Sequence, residues 1–193
     1  YDALGYKLTV PESLAWFQFW MPFFALALVI LFRWRINGVR FPAPVPFKAL
    51  QLISCGVGGL LFSVAAVFIL DPFAEAFTEE ADVLIASVGW PAIILGMVLV
   101  SPVLEELLFR EFLFKEALRR GRPVLAAVVL SLLFSLLHVS ADSSLLLVAA
   151  VFSTALVFSL GLCLVYWKTR SVHACIVAHS AGNTGLIVQA IFV

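Results

Sequence analysis

The chain has 193 residues, 63% of them hydrophobic and only 12% charged, with a formal net charge of +0 at pH 7. A soluble domain carries about 25% charged residues, so water is not the main solvent of this chain. A neutral balance with a pI near 7.0 gives no net positive charge for nucleic acid to recognise.

Apolar runs of the roughly 20 residues needed to cross a bilayer recur along the whole length. The fold expected is an all-α, polytopic membrane helix bundle of about six transmembrane helices, a single integral membrane domain over residues 1–193 with its catalytic core at about 91–193. The first span runs from Ser13 to Phe32 and the second from Phe47 to Leu70. FTEEADVLIASVGW follows as an amphipathic piece lying at the surface. Hydropathy alone would allow the stretch up to Leu118 to be split in two, but only Ser101-Pro102 lies at the division, and two residues of that kind do not reverse a chain. A single third helix from Pro91 to Leu118, kinked at Pro102, is the simpler reading. The fourth span is Pro123 to Val139, the fifth Ser144 to Trp167 and the sixth Val172 to Val193.

Charge supports this count independently. Arg33, Arg35, Arg40 and Lys48 follow the first span, Lys115, Arg119, Arg120 and Arg122 end the third, and Lys168 and Arg170 end the fifth. Six spans put these ten of the 12 basic residues on one side, which the positive-inside bias makes cytoplasmic. Cys55, Cys163 and Cys175 all lie in apolar runs and read as small buried hydrophobes.

Few ionisable groups remain at membrane depth: Glu105, Glu106, Arg110, Glu111, His138 and His179, with His173 near the start of the sixth span. Each costs several kcal/mol to insert and marks function by default. Glu106 and Arg110 are four apart with the acid first, the favourable order for a same-face pair. Glu105 lies off that face and is left for chemistry, facing imidazoles from two other helices. Phe134 and His138 are four apart, so a ring can pack beside the imidazole, and His179 and Asn183 share a face one turn apart. Water attack on a carbonyl needs a base for the proton and donors for the oxyanion. Glu105 and His138 can supply the first, His179 and Asn183 the second. Peptide hydrolysis is the reading this suggests, and other proton-transfer chemistry stays open.

EELLFR, FSLLH and HSAGN, in this order on three helices, resemble the EExxxR, FxxxH and HxxxN motifs of the CPBP (Abi) family of intramembrane proteases, which includes the type II CAAX prenyl proteases. The resemblance covers about Gly96 to Asn183. It implies that Glu105 is the catalytic glutamate activating water with His138, that Glu106 and Arg110 organise the site, and that His179 with Asn183 forms the oxyanion hole. It implies no cofactor and a membrane-anchored or lipidated protein or peptide substrate, with cleavage near a C-terminus as in CAAX processing. The compact multi-pass chain resembles prokaryotic inner-membrane members.

Members often carry glycine after the arginine, where this chain has Glu111, expected to point to the cytoplasmic polar zone. His173 is expected at the interface. Counting from the basic side puts Glu105 and His138 at a depth of roughly 20 Å and His179 nearer 10 Å, a mismatch that protrusion of the third and fourth helices would remove. Two alternatives stand beside this reading. One is a zinc protease using His138, His179 and a glutamate as ligands, although no HExxH is present. The other is a non-catalytic membrane binding or immunity protein.

Overall fold

The computed structural model describes residues 20–21, 23–24, 26–32, 35, 49–73, 85–86, 88–139 and 144–192. The described residues between 20 and 32 are helical, and the rest of the expected first span and most of the amphipathic piece lie outside the described set. Among the described residues, five longer helices follow in chain order, besides the short 3-10 turn Asp71–Phe73. They are α1 (Ala49–Leu70), α2 (Trp90–Arg119), α3 (Pro123–Leu136), α4 (Leu145–Thr169) and α5 (Val172–Phe192). Among the described residues there are no strands.

Three of these helices, α1, α2 and α4, are long and apolar enough to cross a membrane. The third span is one continuous helix, as expected from the missing turn at Ser101-Pro102. Its turns are not uniform, however. Residues Ile94–Val100 and Leu107–Phe114 are π-helical, with the short α-helical stretch Ser101–Glu106 between them. Such widened turns concentrate at functional sites because they rotate the face that the following residues present.

The fourth span is shorter than expected. Helix α3 stops at Leu136, and its 14 residues reach only about 21 Å, less than the roughly 30 Å of a hydrocarbon core. Phe134 O accepts the N–H of Leu137, and His138 follows in the turn just past the helix end. Non-helical backbone at membrane depth is tolerated where it is buried in protein or lines a polar cavity, and here that backbone carries one of the candidate site residues.

Helix α4 starts with its first turn capped by Ser144, whose hydroxyl accepts from the Leu147 N–H at 3.3 Å. It ends on Arg170, whose left-handed backbone (φ 54°) sends its N–H to Tyr166 O at 2.8 Å. Ser171 then caps α5 by accepting from the Ala174 N–H at 3.3 Å. Two residues therefore reverse the chain, and α5 returns beside α4.

The most extensive helix–helix contact joins α1 to α5. It is a seam of small residues. A Cβ at Gly59 would collide with the Ala178 carbonyl oxygen and stand 3.1 Å from Gly182 N, and one at Gly185 would collide with Ser63 Oγ. Apolar side chains gain nothing by leaving lipid, so membrane helices associate by close backbone approach, and small residues permit it. Cys163 and Cys175 are buried free thiols and Cys55 is half-buried, as small hydrophobes would be.

Candidate active site

The site forms where α2, α4, α5 and the end of α3 meet. Arg110 is fully buried, with both terminal nitrogens bonded and Nε without a hydrogen-bond partner among the described residues. Its Nη1 donates to Glu106 Oε1 at 3.1 Å, four residues back on the same helix. Its Nη2 donates to Ser159 Oγ at 2.7 Å and to Ser159 O at 3.1 Å, on α4. The guanidinium also lies 5.1 Å from the ring centre of Phe134 and 5.8 Å from that of Phe109. A buried arginine stays charged, so it needs this paired carboxylate and these oxygens to be held away from water.

Glu106 Oε1 accepts a second bond, from His179 Nδ1 at 2.8 Å. The carboxylate is an acceptor, so Nδ1 carries the proton and the tautomer of His179 is set. The imidazole is buried, with Phe158 edge-on at 5.2 Å and Phe134 tilted at 5.9 Å between ring centres.

The adjacent acid has different partners. Ser101, one turn earlier, donates to Glu105 Oε1. The other oxygen, Oε2, is buried without a protein hydrogen-bond partner among the described residues, and lies 3.8 Å from His138 Nε2. His138 is held from its other side. Its Nδ1 is 2.7 Å from Phe134 O, which can only accept, so Nδ1 bears the proton and Nε2 presents its lone pair toward Glu105. Phe134 stacks on the ring at 4.3 Å and 25°. The His138 side chain is 37% exposed and that of Glu105 16%, whereas Glu106 and Arg110 are at most 1% exposed. The Glu105–His138 edge is thus the open end of a cluster whose other end is sealed.

Asn183 is anchored on α2. Its Nδ2 donates to Met97 O at 2.7 Å.

Five of the six expected residues, Glu105, Glu106, Arg110, His138 and His179, come together as one cluster joined through Phe134, and Asn183 stands one turn after His179 on α5, bonded to Met97 O. Two expectations are corrected. Glu105 faces one imidazole rather than two, because His179 is committed to Glu106. Glu111 does not reach the polar zone. It is 6% exposed, accepts from Tyr166 OH at 2.8 Å and is paired with Lys115, whose side chain is half exposed. The cause is the second π-helical stretch, in which Phe109, Arg110, Glu111 and Phe112 are all buried, so this part of α2 is enclosed all round and the carboxylate is directed onto α4. Glu106 and His179 touch and so lie at one level along the bundle. His173 sits half-buried in the first turn of α5.

Reading the sequence missed Ser101, Ser159 and Tyr166. Ser101 was legible, four residues before Glu105 on a helix. Ser159 and Tyr166 were not, because each meets its partner across 49 and 55 residues of chain.

No curated protein and no solved structure matches this chain. A family match does exist. Residues 87–185 match the family described as type II CAAX prenyl endopeptidase Rce1-like. That stretch begins at the approach to α2 and contains every residue of the cluster just described, and it spans just over half of the chain. The chain belongs to the type II CAAX prenyl endopeptidase Rce1-like family, a family of membrane proteases.

Proposed function

We propose that this chain is a glutamate-dependent intramembrane endopeptidase of the CPBP type. The observation that carries the proposal is the 3.8 Å approach of Glu105 Oε2 to His138 Nε2, with both atoms free to accept. That separation is too long for a direct hydrogen bond, and one water can donate to both atoms. Glu105 and His138 share the work of drawing a proton from that water as its oxygen attacks the peptide carbonyl. Glu105 then returns the proton to the leaving amine.

The oxyanion would be received on the opposite side by His179 and Asn183. With Nδ1–H on Glu106 Oε1, His179 donates from Nε2 when the ring holds both protons. Asn183 spends one amide proton on Met97 O and keeps the second for substrate. The chemistry we propose runs on these side chains without a metal, and an amide such as that of Asn183 suits an oxyanion better than a metal shell. The substrate class we propose is a membrane-anchored or lipidated protein cut near its C-terminus, by analogy with the CAAX processing named in the family description.

The experiment is cleavage of a prenylated C-terminal peptide by purified protein in liposomes, with and without a strong chelator. Chelator-insensitive cleavage that disappears in Glu105→Gln supports the reading. Activity lost on chelation and restored by zinc would transfer the chemistry to a metal, and full activity in Glu105→Gln would end the proposal.

A further inference from the structure

The anchor of Asn183 exists because of an irregularity in α2. A helical carbonyl accepts from the N–H four residues on in an α-turn and five residues on in a π-turn. For Met97 these donors belong to residues 101 and 102. The N–H of Ser101 is committed to Gly96 O, the π-type bond that closes the first widened stretch. Residue 102 is proline, which has no N–H. Met97 O therefore has neither an α-type nor a π-type donor within its own helix, and Asn183 Nδ2 from α5 supplies one at 2.7 Å. A carbonyl oxygen only accepts, so the atom of the amide facing it is the nitrogen.

We infer that Pro102 is a positioning residue for Asn183. By withholding an N–H it keeps Met97 O open as a fixed acceptor, which holds one amide proton of Asn183 and directs the other toward the substrate carbonyl. The catalytic part of this inference rests on the oxyanion role proposed above for Asn183. Pro102 is itself fully buried, three residues before Glu105, so one short segment of α2 both carries the proposed base and sets a donor on the facing helix.

The test separates the missing N–H from the shape of the proline ring. Pro102→Ala restores an N–H that competes for Met97 O, and turnover of the prenylated peptide is expected to fall about 10-fold at unchanged KM. Placing lactic acid at position 102, the backbone-ester counterpart of alanine, removes the N–H again and is expected to restore turnover. In an Asn183→Ala background, Pro102→Ala is expected to cost nothing further. A loss that persists in the ester, or that multiplies with the loss from Asn183→Ala, overturns the inference.

A second readout does not depend on activity. The chain has 2 methionines, Met21 and Met97, so carbonyl-¹³C methionine in a Met21→Leu protein reports Met97 alone by infrared spectroscopy. Asn183→Ala is expected to raise the Met97 carbonyl frequency when residue 102 is proline, and to leave it unmoved in Pro102→Ala. Equal shifts in both backgrounds overturn the inference. Should Asn183→Ala keep full activity, the oxyanion reading falls, and the infrared result still decides whether Pro102 sets Asn183.

Discussion

Glu106 Oε1 stands 2.8 Å from His179 Nδ1 and 3.1 Å from Arg110 Nη1, so a single carboxylate oxygen joins the imidazole of α5 to the guanidinium of α2. The neighbouring residue, Glu105, touches neither group and bonds instead to Ser101 and faces His138. Two adjacent acids thus take different partners. Glu106 joins two helices through one oxygen and orients one imidazole, while Glu105 bonds along its own helix and turns Oε2 toward His138.

That division predicts opposite phenotypes for the same substitution at adjacent positions. Glu105→Gln is expected to lower turnover by about 10³-fold, within the range of a lost general base, with little change in stability. Glu106→Gln leaves Arg110 without its carboxylate and is expected to destabilise the protein by about 3 kcal/mol, the range for a broken buried pair. Turnover of the prenylated peptide and denaturant unfolding in the same detergent distinguish the two. Equal unfolding midpoints for both variants would contradict the assignment.

Arg110→Lys tests whether the site needs a fork or only a charge. An ammonium cannot reach Glu106 and both oxygens of Ser159 from one rigid plane. The expected loss is about 1–3 kcal/mol, the cost of stranded buried partners. In a double-mutant cycle, Ser159→Ala should cost less in the Arg110→Lys background than alone, since Ser159 Oγ serves Arg110 Nη2. Additive losses would show that the two residues do not act together.

The seam between α1 and α5 makes two neighbouring glycines unequal. At Gly58 a Cβ meets nothing within 4 Å, whereas at Gly59 it collides with the Ala178 carbonyl, one residue before His179. Gly58→Ala is expected to be neutral or slightly stabilising, by a few tenths of a kcal/mol, because alanine is the better helix former. Gly59→Ala is expected to cost at least about 1–3 kcal/mol by forcing the helices apart, and to lower turnover by shifting His179. Thermal unfolding and peptide cleavage of both variants check this, and a silent Gly59→Ala would mean that the seam does not position α5.

Tyr166→Phe removes the hydroxyl that donates to Glu111 and leaves that buried carboxylate to Lys115 alone. The expected destabilisation is about 1–3 kcal/mol. In a Glu111→Gln background the same change should cost less, because no charge is stranded. Unfolding of the four proteins of this cycle gives the coupling, and a coupling of zero would place the Tyr166–Glu111 contact outside the energetics of the fold.

Much of the site could be read from the sequence because its pairs are local. Glu106 with Arg110 and Phe134 with His138 stand four residues apart, where helical geometry brings side chains together whatever the rest of the chain does. One of these contacts formed on a backbone other than the expected one. His138 stacks on Phe134 although the helix has ended at Leu136, so the expected contact formed on a turn rather than on the expected helix.

What composition, hydropathy and spacing determined by themselves was an all-helical membrane chain with one cluster of ionisable groups at depth. The tertiary structure alone decided which of the clustered groups bond. It sent His179 to Glu106, drew Glu111 onto Tyr166, set Ser159 on Arg110 and gave Asn183 the Met97 carbonyl. The reason is that helical periodicity states which residues share a face of one helix, while the partner across the bundle depends on how helices pack and on where their turns widen. The two π-helical stretches of α2 make those turns non-uniform, and a pattern with one fixed period cannot anticipate that.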